Sequence, residues 1–325
     1  MTSSLPTAAL TLSLTGPFKR QGAQAAEGAR LWAKSSSVPL TLVDDGGSRA
    51  TAIEAYAGWL DSVDLLLGPY SSGLVRAVAP LVRGAGRLLW NHGGSADDLA
   101  QPSVACLPAP ASSYFSGAVD EAVACGVTRL VVARGSGPHA QTVADGAAAR
   151  ANERGIDVRV VDISAVDGQD LTDAALLLAG RFEDDVAAVR RLGDQRRSLL
   201  LLGAVAAGIH PFHEELGGAA EGVLGPVHWW PSPRTPQIGP SGVDFAARYH
   251  SRTGREPSYV AALAAAAGYL ANAAYHLGLA AEDVPKWETS TLLGDFALDA
   301  AWRQVGLRVT TIRWKGGRMV PIGAI

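Results

Sequence analysis

Two short loops carry the groups most suited to hold a small polar molecule. Residues 68–73 read GPYSSG and residues 91–98 read NHGGSADD, and each loop follows an apolar run. Glycine lets the backbone approach a bound molecule closely, serine hydroxyls can donate to a carboxylate or an amide, and a helix start offers unpaired N–H groups. Ser71 or Ser72 alone is equally well explained as a helix N-cap. Two such loops on adjacent strands, however, would converge on one spot.

Sequence motifs for metal binding or catalysis are weak or absent. Residues 210–215 read HPFHEE, a spacing that can mark a metal site. The segment lacks the H-E-x-x-H order and a third ligand, and Pro211 favours a helix start instead. The sequence has no G-x-S-x-G elbow, no P-loop and no G-x-G-x-x-G after a strand. We therefore predict a non-enzymatic protein without a metal or cofactor, with an unrecognised α/β enzyme as a remaining hypothesis.

Composition narrows the class of protein. A chain of 325 residues with 48% hydrophobic content is long enough for two modest cores. The net charge of −3 and the lack of a long basic stretch argue against nucleic acid as a partner. Cys106 and Cys125 could form one bridge if their Cα atoms lay within about 7 Å, but two small buried hydrophobes are the favoured interpretation. No apolar run approaches the roughly 20 residues of a membrane helix.

Short apolar runs alternate with helix-like segments, which is typical of parallel βαβ units. The predicted strands are residues 8–14, 40–43, 63–67, 87–90, 129–133, 157–162, 198–202 and 222–227. The predicted helices are residues 21–34, 51–60, 74–84, 115–125, 141–154, 171–179, 184–192 and 211–216. A Pro-rich linker (230–240), one long helical segment (243–279) and a β-hairpin (307–314 with 318–322) complete the chain.

At this point the sequence resembles a known family. Residues 12–45, 68–73, 91–99 and 219–224 together look like the leucine/isoleucine/valine-binding family of type I periplasmic binding proteins, and the likeness extends to about residue 278. The resemblance implies an α/β fold of two doubly wound parallel-sheet lobes, joined by a three-crossover hinge, with the ligand cleft between them. Lobe 1 would comprise residues 1–108 plus 231–302, and lobe 2 residues 109–230 plus 303–325.

The resemblance also implies a carboxylate cradle in lobe 1. Ser72 would supply a hydroxyl, Gly93 a backbone carbonyl, and Ser95 a hydroxyl and a backbone N–H. Other candidate ligand contacts in lobe 1 are Phe18, Gln21, Tyr70, Ser71 and Gly94. Gln21 stands where amino-acid binders usually have an aromatic residue, a role that Phe18 could take over.

In lobe 2 the resemblance points to a second set of contacts, namely Ser112, Ser113, Tyr114, His139, Arg181, Phe182 and Val205. The main departure is Val205, where amino-acid binders of the family usually place a carboxylate for the ligand's ammonium group. Burying an ammonium without a partner would cost several kcal/mol. An ordinary α-amino acid is therefore disfavoured unless another carboxylate serves. Arg181, if it is not simply a solvated surface residue, would favour an anionic group.

Three functions are open at this stage. The first is the solute receptor of an ABC importer, which would close by hinge bending over a small carboxylate- or amide-bearing molecule and present it to the permease subunits. The second is a cytoplasmic ligand sensor of the amide-sensing regulator type, which would bind a regulator protein. The third is the enzyme named above. A monomer is expected. The family implies a periplasmic or lipid-anchored extracellular location, whereas the lack of a visible signal peptide leaves the cytoplasm open.

Overall fold

The computed structural model describes residues 5–322. The chain forms two compact units, which we call unit 1 (Met1–Ala109 with His228–Arg308) and unit 2 (Pro110–Val227 with Val309–Ile325). Residues 1–4, on which part of the signal-peptide interpretation depends, lie outside the described residues. The chain passes between the units three times.

The predicted fold class, α/β with a mainly parallel sheet in each of two lobes, is confirmed. The strands are β1 (Ala8–Leu12), β2 (Leu40–Asp44), β3 (Leu65–Leu67), β4 (Leu89–Asn91), β5 (Val104–Cys106), β6 (Arg129–Arg134), β7 (Asp157–Asp162), β8 (Ala175–Ala179), β9 (Leu201–Ala204), β10 (Leu224–Val227), β11 (Thr289–Thr291), β12 (Gly294–Phe296), β13 (Thr310–Lys315) and β14 (Arg318–Pro321). The helices are α1 (Lys19–Ser35), α2 (Arg49–Trp59), α3 (Ser72–Gly84), α4 (Ser116–Ala124), α5 (Pro138–Glu153), α6 (Phe182–Leu192), α7 (Pro211–Leu216), α8 (Gly242–Thr253) and α9 (Tyr259–Leu277).

Unit 1 is built on a five-stranded parallel sheet in the order β2-β1-β3-β4-β5. Its core lies between this sheet and the helices α1, α8 and α9. Helix α1 packs closely on α9, because Gly268 meets the ring of Trp32 and Gly28 meets the carbonyl of Ala261 without an intervening side chain. Helix α9 is long and apolar enough to cross a membrane, but its burial in this core identifies it as a core helix.

The prediction of one helical segment over residues 243–279 is wrong. Helix α8 ends at Gly254, which adopts a left-handed conformation with φ of 68°, and Pro257 follows. Helix α9 then starts anew at Ser258, whose side chain accepts a hydrogen bond from the N–H of Ala261. Because the region is rich in alanine, the end of α8 and the beginning of α9 were not recognised in the sequence.

Unit 2 is built on a seven-stranded sheet in the order β14-β13-β10-β9-β8-β6-β7, in which the pairings of β13 are antiparallel and the others parallel. The predicted helix over residues 171–179 is wrong, because β8 lies there between β6 and β9 and is buried along its length. A strand covered on both faces reads as a continuous apolar run and has no period of two to reveal it.

The predicted C-terminal hairpin is confirmed. Strands β13 and β14 pair antiparallel with Lys315 opposite Arg318, and Gly316 and Gly317 form the two-residue turn with positive φ values of 58° and 72°. Positive φ at both turn positions is the reason for the two glycines.

Both cysteines are free. Cys106 is buried, as expected for a small hydrophobe, and its sulfur accepts a hydrogen bond from the Asn91 amide at 3.2 Å. Cys125 is exposed, so the prediction of two buried cysteines is wrong for this residue. It lies at the solvent-facing end of α4, where the chain turns through Gly126.

Candidate functional site

In unit 1 the two serine-bearing loops lie against each other. They follow β3 and β4, which are parallel neighbours, so both loops leave the same edge of the sheet. A Cβ placed on Gly93 would lie 2.6 Å from Tyr70 Cα, and one placed on Gly94 would lie 3.1 Å from Ser72 Cα. The loop backbones therefore pack directly on each other, which requires glycine at these two positions.

Hydrogen bonds fix the shape of this pair of loops. The Asn91 amide oxygen accepts from the N–H groups of Gly93 at 3.1 Å and Gly94 at 2.8 Å, and its NH₂ group donates to the Gly94 carbonyl. The Ser72 hydroxyl oxygen accepts from the N–H of Ala96 at 3.2 Å. Ser72 is thus held one residue from Ser95, and we call residues 70–72 and 93–95 the cradle.

Ser71 has an unusual backbone. It is the N-cap of α3, and its hydroxyl accepts from the N–H of Leu74 at 3.4 Å. Its φ of 108° and ψ of 145° fall in a region that is normally reserved for glycine. Strained residues of this kind persist where the surrounding structure enforces them, and they cluster at ligand-binding sites.

Aromatic residues adjoin the cradle in unit 1. The rings of Phe18 and Tyr70 meet edge to face with centroids 5.9 Å apart. Burial raises the pKa of the Tyr259 hydroxyl, and a hydrogen bond with Tyr70 opposes that rise. The Tyr259 ring in turn lies 5.5 Å from the ring of His228. Gln21 lies half-buried in the first turn of α1.

Sequence reasoning did not connect Tyr259 and His228 with the cradle loops. Both are far from the cradle along the chain, so no local spacing could link them to it. The start of α9 was the available signal, since Ser258 is an N-cap and Tyr259 is the first helical residue after it.

In unit 2, the residues Ser112, Ser113 and Tyr114 form a turn held by α5. The Ser113 hydroxyl donates to the Pro110 carbonyl at 2.7 Å, and Gly146 of α5 meets the backbone of Ser112 directly. The Tyr114 ring lies edge to face with His139, which is exposed, at 5.5 Å.

The remaining predicted residues of unit 2 follow the neighbouring strands β8 and β9. Arg181 is the exposed N-cap of α6, and Phe182 is its half-buried first residue. Val205 is half-buried in the turn Val205–Gly208 that follows β9. Because β8 and β9 are parallel neighbours, these residues lie at one edge of the unit 2 sheet.

A metal site is not visible within residues 5–322, where no group of three or more His, Cys, Asp or Glu side chains is placed to hold an ion. Helix α7 begins at Pro211 within the segment HPFHEE, as predicted by the interpretation of this segment as a helix start. The ring of His213 stacks on Trp314 with centroids 5.1 Å apart.

The arrangement in unit 1 is suited to binding. Hydroxyls and main-chain groups converge beside aromatic rings, and burial lowers the pKa of the nearby His92 to about 4, so this side chain is neutral at physiological pH. The serine hydroxyls and backbone N–H groups of the cradle are neutral donors, which suit a carboxylate or amide oxygen.

Comparisons with known proteins bear on the family and the fold of the chain. The sequence profile of the periplasmic binding protein family matches residues 7–286. A leucine-binding protein, LivK, from Thermotoga maritima is 19% identical, with 98% of each chain covered and a TM-score of 0.79. A substrate-binding protein of an ABC transporter from Sphaerobacter thermophilus is 16% identical, with 99% of this chain and 97% of that chain covered and a TM-score of 0.81.

A third structure, a solute-binding protein of an ABC transporter from R. palustris in complex with benzoate, is 15% identical, with 98% of this chain and 96% of that chain covered and a TM-score of 0.76. Identities this low establish a shared fold. A sequence search of curated proteins found no match.

Proposed function

Because this chain belongs to the periplasmic binding protein family, we propose that it is the solute receptor of an ABC importer and that its ligand is a small organic carboxylate or amide. The observation that supports this ligand class most directly is the bond between the Ser72 hydroxyl oxygen and the N–H of Ala96. A hydroxyl that already accepts from a backbone N–H keeps its own proton for a ligand oxygen. We assign a second hydroxyl of the cradle to Ser95, the residue before Ala96.

The ligand body is proposed to be aliphatic or aromatic. Phe18 and Tyr70 offer ring surface beside the cradle, and Val205 provides no charge for an ammonium group. The R. palustris protein with benzoate has the same fold, so an acid without an amino group is a natural candidate.

We further propose that unit 2 completes the binding of the same molecule and that the ligand induces hinge closure. The residues assigned to this role are Ser112, Ser113, Tyr114, His139, Arg181, Phe182 and Val205. Small-angle X-ray scattering with and without a bound acid tests this part, and an unchanged radius of gyration at saturation would contradict it.

Isothermal titration with three probes tests the ligand class. The probes are leucine, its keto acid 4-methyl-2-oxopentanoate, and benzoate. We expect binding of at least one acid, and recovery of that acid unchanged after long incubation, as for a receptor without turnover. Failure of all three probes to bind would refute the proposed class.

Alanine variants of the cradle test its role. In the variants S72A and S95A the affinity for the acid that binds should fall by about 1–3 kcal/mol each, or about 5- to 150-fold. The matched control is S62A, since the Ser62 hydroxyl donates to the Gly58 carbonyl on the exposed surface. Unchanged affinity in both cradle variants would remove the cradle from the binding site.

Membership in the family supports a proposal for the compartment and the partner. We propose that the protein works as a monomer in the periplasm or on the cell surface, with the permease subunits of an importer as its partner. Fractionation of the native host and analytical ultracentrifugation test these points. A cytoplasmic location would instead favour the amide-sensing type of regulator.

A further inference from the structure

Asp185 is a buried carboxyl group at the edge of the unit 2 sheet. The side chain is fully buried in the first turns of α6, and one carboxyl oxygen accepts from the N–H of Gly180 at 2.8 Å. The other accepts from the N–H of Ala206 at 2.9 Å. Gly180 follows β8 and Ala206 follows β9, so one carboxyl group joins the ends of two neighbouring strands.

The backbone is closely packed around this carboxyl group. A Cβ placed on Gly180 would lie 2.7 Å from an oxygen of Asp185, and one placed on Gly135, which follows β6, would lie 2.9 Å from Gly180 Cα. The ends of β8 and β9 therefore meet at Asp185, and the end of β6 packs on Gly180 beside it; glycine at 135 and 180 allows this close approach.

The environment of Asp185 is costly for a charged group. Burial raises its pKa to about 8, while the N–H groups of Ala206, Gly180 and Val205 oppose that rise and the charge of Asp184 adds to it. Within residues 5–322 no ion pair involving Asp185 is observed. An apolar side chain would fill this space without the cost of burying a carboxyl group. The carboxyl group is therefore best explained by its hydrogen bonds to the N–H groups at the two strand ends.

We propose that Asp185 is a positioning residue, which fixes the ends of β8 and β9 relative to each other and thereby sets the positions of Arg181 and Val205. Arg181 is bonded in sequence to Gly180, and Val205 to Ala206, so each lies next to an N–H that Asp185 accepts from. The consequence for ligand binding rests on the proposed function of this edge, whereas the effect on the strand ends does not.

Hydrogen exchange of individual backbone amides tests the proposal on the full chain without a ligand. In the variant D185A the amides of Gly180 and Ala206 lose their acceptor, and each should exchange about tenfold faster or more than in the unaltered protein. The variant D185N keeps one acceptor oxygen, and it should restore part of the protection. Both amides exchanging at the unaltered rate in D185A would overturn the proposal.

The matched control is D184A, which removes the neighbouring carboxylate from the same helix. Asp184 accepts from the N–H of Arg181 at 3.3 Å and bonds to neither amide that Asp185 holds. Its variant should leave the exchange of Gly180 and Ala206 unchanged. Equal acceleration in D184A and D185A would mean that helix destabilisation is the cause, and would also refute the positioning role.

Titration with 4-methyl-2-oxopentanoate and benzoate then tests the functional consequence. The affinity of D185A for each acid should be lower than that of the unaltered protein, and the affinity of D185N should lie between the two. The free energy of unfolding of D184A is measured as the reference for general destabilisation of the helix. If neither acid binds the unaltered protein, the proposed ligand class fails, and the exchange experiment still decides the role of Asp185. Accelerated exchange with unchanged affinity would overturn the placing of Arg181 and Val205 in the binding site.

Discussion

Replacing Ser71 by glycine should stabilise unit 1 even though it deletes a side chain of the cradle. A non-glycine residue at φ of 108° and ψ of 145° costs about 1–3 kcal/mol, and glycine removes that cost. Against it stand about 0.5–1 kcal/mol for the greater freedom of glycine in the unfolded chain and a few tenths of a kcal/mol for the N-cap. The net expectation for S71G is a gain of about 0–2 kcal/mol.

The variant S71A separates the two contributions. It deletes the same hydroxyl but keeps the strained backbone, so it loses the N-cap and gains nothing. The N-cap bond is long, at 3.4 Å, which places its loss near the lower end of the usual range of about 0.5–2 kcal/mol. The variant S71G should therefore be more stable than S71A by about 0.5–2.5 kcal/mol.

Urea denaturation followed by circular dichroism measures this difference. The control pair is S62G and S62A, because Ser62 is outside the set of residues with positive φ, and there glycine should be the less stable variant. If S71G is no more stable than S71A, then Ser71 is not strained and the argument that the cradle imposes its conformation is wrong.

Three other predictions concern packing and charge. The variant G268A should lower the free energy of unfolding by about 1–3 kcal/mol, since its methyl group would overlap the ring of Trp32; an unchanged urea midpoint would contradict the close contact of α1 and α9. The variant G93A should force the cradle loops apart, because its Cβ would lie 2.6 Å from Tyr70 Cα, and titration with 4-methyl-2-oxopentanoate should show weaker binding. Asp185 has its pKa raised to about 8 in the folded protein, against about 4 in the unfolded chain. The native state thus holds the proton over a range where the unfolded state does not, so the stability of the unaltered protein relative to D185N should fall as pH rises from about 4 to about 8, and level off above that. Parallel urea curves at all pH values would refute the shift.

The contact between the two cradle loops was predictable because its information is local. In the sequence, each of these βα units is marked by a short apolar run followed by glycine and serine. Neighbouring parallel strands end at the same edge of a sheet. The contact of residues 68–73 with residues 91–98 follows from these two facts alone. The contact of Tyr70 with Tyr259 does not, since it depends on how α9 packs against the sheet.

The errors have physical causes as well. Residues 175–179 were assigned to a helix because a strand covered on both faces leaves no alternation in the sequence. Strands β11 and β12 were missed because their three residues, TST and GDF, lack the aliphatic run that revealed the equally short β3 and β4. Strand β5, with the sequence VAC, was missed although it is apolar. The break between α8 and α9 carried a helix stop at Gly254 and Pro257, which outweighs the apolar content of the segment.

The preference for an acid over an amino acid can be argued further from Asp185. It is the only buried carboxyl group in the described part of unit 2, and it lies beside Val205, the position at which, under the proposed function, an amino-acid ligand would require an ammonium anchor. To serve as that anchor it would have to release the N–H groups of Gly180 and Ala206, and each unsatisfied group would cost about 1–3 kcal/mol. That cost is comparable with what an ion pair to the ligand would gain.

We therefore expect 4-methyl-2-oxopentanoate to bind at least about tenfold more tightly than leucine, a difference of about 1.4 kcal/mol. Tighter binding of leucine, lost in D185N while the keto acid binds that variant normally, would show instead that Asp185 holds the ammonium group.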